Sequence, residues 1–191
     1  MNVPKGRGWP TWQRDYRYGT LVIVPPPNLA FTLDAIRARF DPASAAQIGA
    51  HITLTPPFAA APSSADEERV RTAIRGLAPM RLQLNRPTRF SGSSVVYLPV
   101  VPIQPFLRLR EVLLATDLFR LDLPHTADFV PHLTLSEFGT TPAAALGADI
   151  PQPEAMAFLV EGVAWVVPDE EARFTVRRTF MLAASHPTSA S

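Results

Sequence analysis

Two short stretches, His51-Ile-Thr-Leu54 and His132-Leu-Thr-Leu135, are nearly the same, and between them they hold two of the chain's four histidines. Each closes the same series of elements. "YGTLVIVP" (18–25) has the β-branched content of a strand and ends on prolines. Asn28 then reads as a helix cap, Leu29, Leu33, Ile36 and Phe40 recur at helical spacing, and "FDP" stops the pattern before the short strand "AHITLT". The order begins again with the strand "SVVYLPVVP", the helix "QPFLRLREVLLATDLF" with Phe106, Leu109 and Leu113 on one side, and the strand "FVPHLTLSEF". In this reading Val24-Pro25 answers Val101-Pro102. A strand-helix-strand unit written twice predicts an internal duplication with one pair of lobes, since a solenoid needs three or more copies. The expected halves are about 18–91 and 92–184, within a single domain spanning 1–184, and 185–191 is expected to be a loose tail.

The rest of the chain fills in around that unit. Ser64 with Glu67 reads as a capping box opening a helix with Val70, Ala73, Ile74 and Leu77 on its apolar face, and "MRLQL" alternates as a strand does. "AFLVEGVAWVV" and "ARFTVRRTFMLA", around the acidic turn "PDEE", predict an antiparallel hairpin.

Composition narrows the partners. At 47% hydrophobic residues the chain can bury a real core, and a formal charge of +1 supplies no global field for DNA or an anionic membrane. Recognition of an anion must therefore be local. The absence of cysteine excludes disulfides, a thiolate nucleophile and Cys-ligated zinc. No run of 18 apolar residues occurs and the first residues lack the apolar centre of a signal peptide, so a cytoplasmic location is expected, and the chain is expected to be a monomer.

Side chains alternate across a strand, so in H-x-T-x the histidine and threonine share one face while the two aliphatics share the other. Ile52, Leu54, Leu133 and Leu135 are expected to face the core. If the halves pack about a pseudo-twofold axis, His51, Thr53, His132 and Thr134 converge across one cleft. That set suits a phosphodiester. One neutral imidazole can accept a proton while a protonated one donates, and hydroxyls can donate hydrogen bonds to non-bridging oxygens as charge develops. This chemistry needs no metal or cofactor. A two-histidine zinc site lacks an i, i+4 histidine and has only Glu137 as a nearby carboxylate.

On these two motifs, with "FVP" ahead of the second, the chain resembles the two-histidine (2H) phosphoesterase superfamily, which includes the 2′,5′ RNA ligase and cyclic phosphodiesterase group. The likeness runs from about Tyr18 to Leu182. It implies an α+β bilobal fold, two duplicated lobes with antiparallel sheets flanking a central cleft. It also implies catalytic roles for His51 and His132 and phosphate binding by Thr53 and Thr134. The implied activity is metal-independent hydrolysis of a cyclic phosphodiester on ribose, such as a 2′,3′-cyclic nucleotide or RNA end. RNA 2′,5′ ligation and a nucleotide-binding module without turnover are the alternatives. Where members nearest the RNA ligases often carry a basic residue after the second motif, this chain has Ser136 and Glu137, and "TPPF" after the first resembles a poorly characterised bacterial branch.

Other residues are candidates for the cleft rim. Arg86 and Arg89 lie in the loop between the halves, where a guanidinium could meet a phosphate, and Phe58, Phe90 and Phe138 could stack on a base or pack in the core. The segment "RGWPTWQRDYRYG" could lie over the cleft mouth or pack outside it. His125 and His186 lack the H-x-T context, and "DEERVRTAIR" reads as the wet face of a helix.

Overall fold

A computed structural model describes residues 11–124, 126, 129–137 and 150–183. Its strands are β1 (Thr20–Ile23), β2 (Ile52–Thr53), β3 (Met80–Leu84), β4 (Thr88–Arg89), β5 (Val96–Val101), β6 (His132–Ser136), β7 (Ala157–Val160), β8 (Gly162–Pro168) and β9 (Phe174–Met181). The helices are α1 (Thr11–Asp15), α2 (Pro27–Phe40), α3 (Pro42–Gln47), α4 (Ser64–Ile74) and α5 (Ile103–Leu114). The expected α+β class with antiparallel pairing is found. The strands follow the path β7-β3-β5-β6-β2-β1-β8-β9, with β4 paired to β5.

That order is symmetric about the boundary between β6 and β2. Ile52 is the register partner of Leu133, and these are the second residues of the two H-x-T-x motifs, so a pseudo-twofold axis passes between them. On either side, β1 flanks β2 and β5 flanks β6. The symmetry does not follow the chain's halves. β3, from the first half, lies on the second motif's side, while β8 and β9, from the second half, lie beside β1. Each lobe therefore borrows strands across the expected boundary near residue 91. The expected hairpin is divided in the same way: β8 pairs with β9, but β7 pairs with β3. Only Glu161 separates β7 from β8, so the sheet must curl to bring one end of the path beside the strand next to its other end.

Several local expectations shift by a residue or two. Ile23 faces Ile52 and Leu98 faces Leu133, which makes Ile23 and Leu98 counterparts and puts Val24-Pro25 out of register with Val101-Pro102. α2 starts at Pro27, with Pro26 rather than Asn28 at its cap; proline suits a first turn because its missing N–H would have had no partner. The box on α4 is Ser63 with Asp66, not Ser64 with Glu67: Ser63 N donates to Asp66 Oδ2 at 2.9 Å and Asp66 N to Ser63 Oγ at 3.3 Å. Asp41 ends α2 and caps α3 by accepting from Ser44 N at 3.2 Å. Its other oxygen accepts from Glu137 N at 2.7 Å, tying the segment after the second motif to the first helix pair.

The main core gathers Leu33, Ile36, Ile52, Leu54, Phe106, Leu109, Leu113, Leu133 and Leu135, as the helical and strand periods require. Both motifs thus bury their aliphatic residues and leave His and Thr on the opposite face.

Candidate functional site

The antiparallel register that sets Ile52 against Leu133 sets Thr53 against His132 and His51 against Thr134, one residue on in each direction. Directly opposed residues on one face have Cβ atoms about 4.5–5.5 Å apart. The two His–Thr pairs therefore form one compact patch, each histidine beside the other motif's threonine. Neither threonine hydroxyl has a hydrogen-bond partner among the described residues. Thr55, two residues on, differs: its hydroxyl lies 3.2 Å from that of Thr20 and accepts from Leu21 N at 3.1 Å.

Both imidazoles are held alike. His51 Nδ1 is 2.8 Å from Gly49 O and His132 Nδ1 is 2.7 Å from Val130 O, the carbonyl two residues back in each case. A carbonyl can only accept, so Nδ1 carries the proton and Nε2 is left for chemistry. Burial pushes the His51 pKa down to about 4, with the charges of Arg37 and His132 acting in the same direction. His132 is lowered as well, again by burial. The effect of His132 on His51 places the two rings within electrostatic reach.

A cavity of about 700 Å³ opens on this face, and Thr53 and His132 are on its lining. His51 and Thr134 stand beside them outside that lining. The volume falls in the range of small-molecule sites. Its aromatic wall is built on His132: Phe90 and Tyr97 stack at 4.0 Å, and both meet the imidazole edge-on, at 5.1 and 5.4 Å. Tyr97 faces Thr134 in the ladder, so register delivers it to this face. Arg110, Tyr16 and Glu137 also line the cavity. Desolvation raises the Tyr16 pKa, Asp15 raises it further and Arg110 opposes. The Glu137 carboxyl is raised by desolvation and then by Asp41, with Arg37 opposing.

The rim candidates fare differently. Phe58 is 2% exposed and packs against Phe119 at 4.7 Å and Trp165 at 5.7 Å, so it is a core residue and offers no face to a base. Arg89 pairs with Val96 on β5 while its neighbour Thr88 pairs with Tyr97. Alternation thus turns Arg89 away from the histidine face, and it is not on the cavity lining. Arg86 is exposed in the loop before β4. Phe138, His125 and His186 lie outside the described residues. Of the N-terminal aromatics, Tyr16 reaches the cavity and Tyr18 packs on the core. Among the described residues no group of three or more His, Cys, Asp or Glu is placed to hold a metal ion, and no helix is long and apolar enough to cross a membrane.

Sequence reasoning missed Arg37 and Arg110. Both are buried, at 2% and 6% exposure, and each stands one residue after a core aliphatic, Ile36 or Leu109. An arginine inside the apolar stripe of a helix was the available signal. Arg37 pairs with Asp34 at 3.0 Å and donates to Ile48 O at 2.7 Å. Asp34 in turn accepts from Ala50 N at 2.6 Å, so the backbone entering the first motif is fixed from α2. Arg110 donates to Leu54 O at 2.5 Å and Thr126 O at 3.3 Å, with its guanidinium 3.8 Å over the Phe129 ring.

A symmetric antiparallel sheet with two strand-borne His–Thr pairs beside one cavity defines the architecture of a two-histidine phosphoesterase. The chain belongs to the 2′-5′ RNA ligase superfamily, whose family model matches residues 25–181. A search of curated proteins finds no match. Among solved structures, E. coli LigT complexed with phosphate is similar at a TM-score of 0.58 and 20% identity, over 86% of this chain and 96% of that one. LigT complexed with 3′-AMP gives 0.54 and 19% over 86% and 96%. TT0787 of Thermus thermophilus gives 0.56 and 21% over 87% and 98%. At these identities the likeness is one of fold.

Proposed function

We propose that the protein is a phosphoesterase that hydrolyses a cyclic phosphodiester on ribose, a 2′,3′-cyclic nucleotide or RNA end, by paired histidine acid-base catalysis. The observation that carries this is the pairing of Ile52 with Leu133, which brings two His–Thr pairs to one face with both Nδ1 atoms on backbone carbonyls. Family membership and the phosphate and 3′-AMP complexes of LigT support it.

His51 is the general base, because desolvation holds its ring neutral and keeps a free lone pair on Nε2. It takes a proton from water as the water oxygen bonds to phosphorus. The bond from phosphorus to the leaving ribose oxygen breaks, and His132, protonated on both nitrogens, gives that oxygen the Nε2 proton. Both histidines return to their starting states by exchange with solvent. Thr53 and Thr134 donate to the non-bridging oxygens. Each proton transfer contributes about 10²- to 10⁴-fold. Hydrolysis is preferred to RNA ligation because Glu137, not a cation, follows the second motif and lines the cavity, giving a long polyanion no track.

The test is turnover of 2′,3′-cyclic nucleotides in excess chelator. Wild-type protein is expected to release a ribose monophosphate, with His51→Ala and His132→Ala each slower by at least about 10²-fold; a wild-type rate no better than either variant's would sink the proposal.

A further inference from the structure

The duplication supplies an internal control for Arg110. α2 and α5 present the same buried stripe, Leu33, Ile36 and Arg37 on one and Phe106, Leu109 and Arg110 on the other. In this alignment Asp34, the counter-ion of Arg37, answers Leu107. Both positions are half-buried, and the second helix carries leucine where the first carries its carboxylate. Arg110 has only carbonyls and an aromatic ring as partners among the described residues. A guanidinium 6% exposed with no carboxylate partner among the described residues is costly unless something supplies a counter-charge. Unlike Arg37, which is not on the cavity lining, Arg110 faces the cavity beside Tyr16, whose hydroxyl has no hydrogen-bond partner among the described residues. The Arg110 charge acts on Tyr16 and is not among the influences on either histidine. Arg110 is anchored at Leu54 O, past the end of the first His–Thr pair, and faces the cavity there.

We infer that Arg110, with the Tyr16 hydroxyl, is a second anion subsite that takes a phosphoryl group carried elsewhere on the same substrate molecule. This rests on the proposed reading of the His–Thr patch as the site of the reacting phosphate. The guanidinium, fixed by Leu54 and Thr126 carbonyls, is pre-organised for a charge-assisted bond. Glu137 also lines the cavity and its charge reaches Tyr16 in opposition to that of Arg110, so it is the guanidinium itself that marks the place for an anion. The substrate class becomes a ribose cyclic phosphate that bears at least one further phosphate, as a 5′-phosphorylated nucleotide or a short RNA end does.

Binding of adenosine 3′-phosphate and adenosine 3′,5′-bisphosphate to the full chain, measured by calorimetry, tests this without turnover. Wild-type protein should bind the bisphosphate at least about tenfold more tightly, as a charge-assisted hydrogen bond allows. Arg110→Gln should bring the two affinities within about twofold of each other. Leu107→Asp, which installs the first helix's counter-ion and leaves the guanidinium and its carbonyl bonds in place, should do the same, and it keeps the test informative if Arg110→Gln does not fold. Equal affinities in the wild type, or a preference that survives Leu107→Asp, would overturn the inference. Failure to hydrolyse cyclic phosphates would count against the proposed activity and leave this comparison standing.

Discussion

Replacing His51 with glutamine should change how stability depends on pH as well as activity. In the folded protein burial holds the His51 pKa down to about 4, whereas an unfolded histidine titrates near 6.5. Between those values the unfolded chain binds a proton that the folded chain refuses. The stability tied to this ring is therefore full above about pH 6.5, falls as the pH drops, and levels off below about 4. At 1.36 kcal/mol per pH unit the gap is at most about 3 kcal/mol, and the ring's partial exposure brings the expected loss to about 1–3 kcal/mol. Glutamine can still donate to Gly49 O but does not titrate, so the difference between wild type and His51→Gln isolates this one group from every carboxylate. Urea unfolding at pH 7, 5.5 and 4 measures it. The wild type should lose about 1–3 kcal/mol relative to the variant between the first and last pH. A difference that stays constant with pH would refute the claim that the folded protein keeps this imidazole neutral.

Further outcomes follow from the same geometry. The pH profile of kcat/KM for a cyclic nucleotide should be bell-shaped and centred below pH 6.5, because His51 must be neutral, His132 must be protonated, and burial lowers both; an optimum above pH 8 would contradict the assignment. Thr53→Val and Thr134→Val should each reduce kcat by about 10²-fold, as loss of a donor to a developing oxyanion does, while thermal unfolding stays close to wild type. Gly19→Ala should destabilise by about 2–4 kcal/mol in urea unfolding, since Gly19 has φ +79° and an added Cβ would lie 2.0 Å from Val166 O.

The four residues of the patch were legible because they depend on local rules. Strand alternation sends Ile52, Leu54, Leu133 and Leu135 inward wherever the strand lies, and the repeat predicted that the outward faces would meet. Its partner strand was not legible, since Ile52 against Leu133 is a pairing between residues far apart in the chain, fixed by the packing of both lobes. The same holds for the strand exchange: β3, β8 and β9 each look complete in sequence, and only edge geometry decides which lobe they extend. Phe58 and Arg89 were misplaced for related reasons. An aromatic after a motif carries no mark of whether it turns into the core, and the side Arg89 faces depends on its register with Val96. Arg110 was visible as an oddity, a charge on an apolar stripe, but its meaning came only from the cavity and from comparison with Asp34 and Arg37.

The proposed chemistry requires two His–Thr pairs serving a single phosphoryl group. Histidine side-chain ¹⁵N resonances, followed as adenosine 3′-phosphate is added, test this directly in a chain with four histidines. The free protein should show His51 and His132 protonated at Nδ1, and the Nε2 signals of both should move together with one dissociation constant and 1:1 stoichiometry. Movement of only one ring, or two rings saturating with different constants, would contradict a shared site.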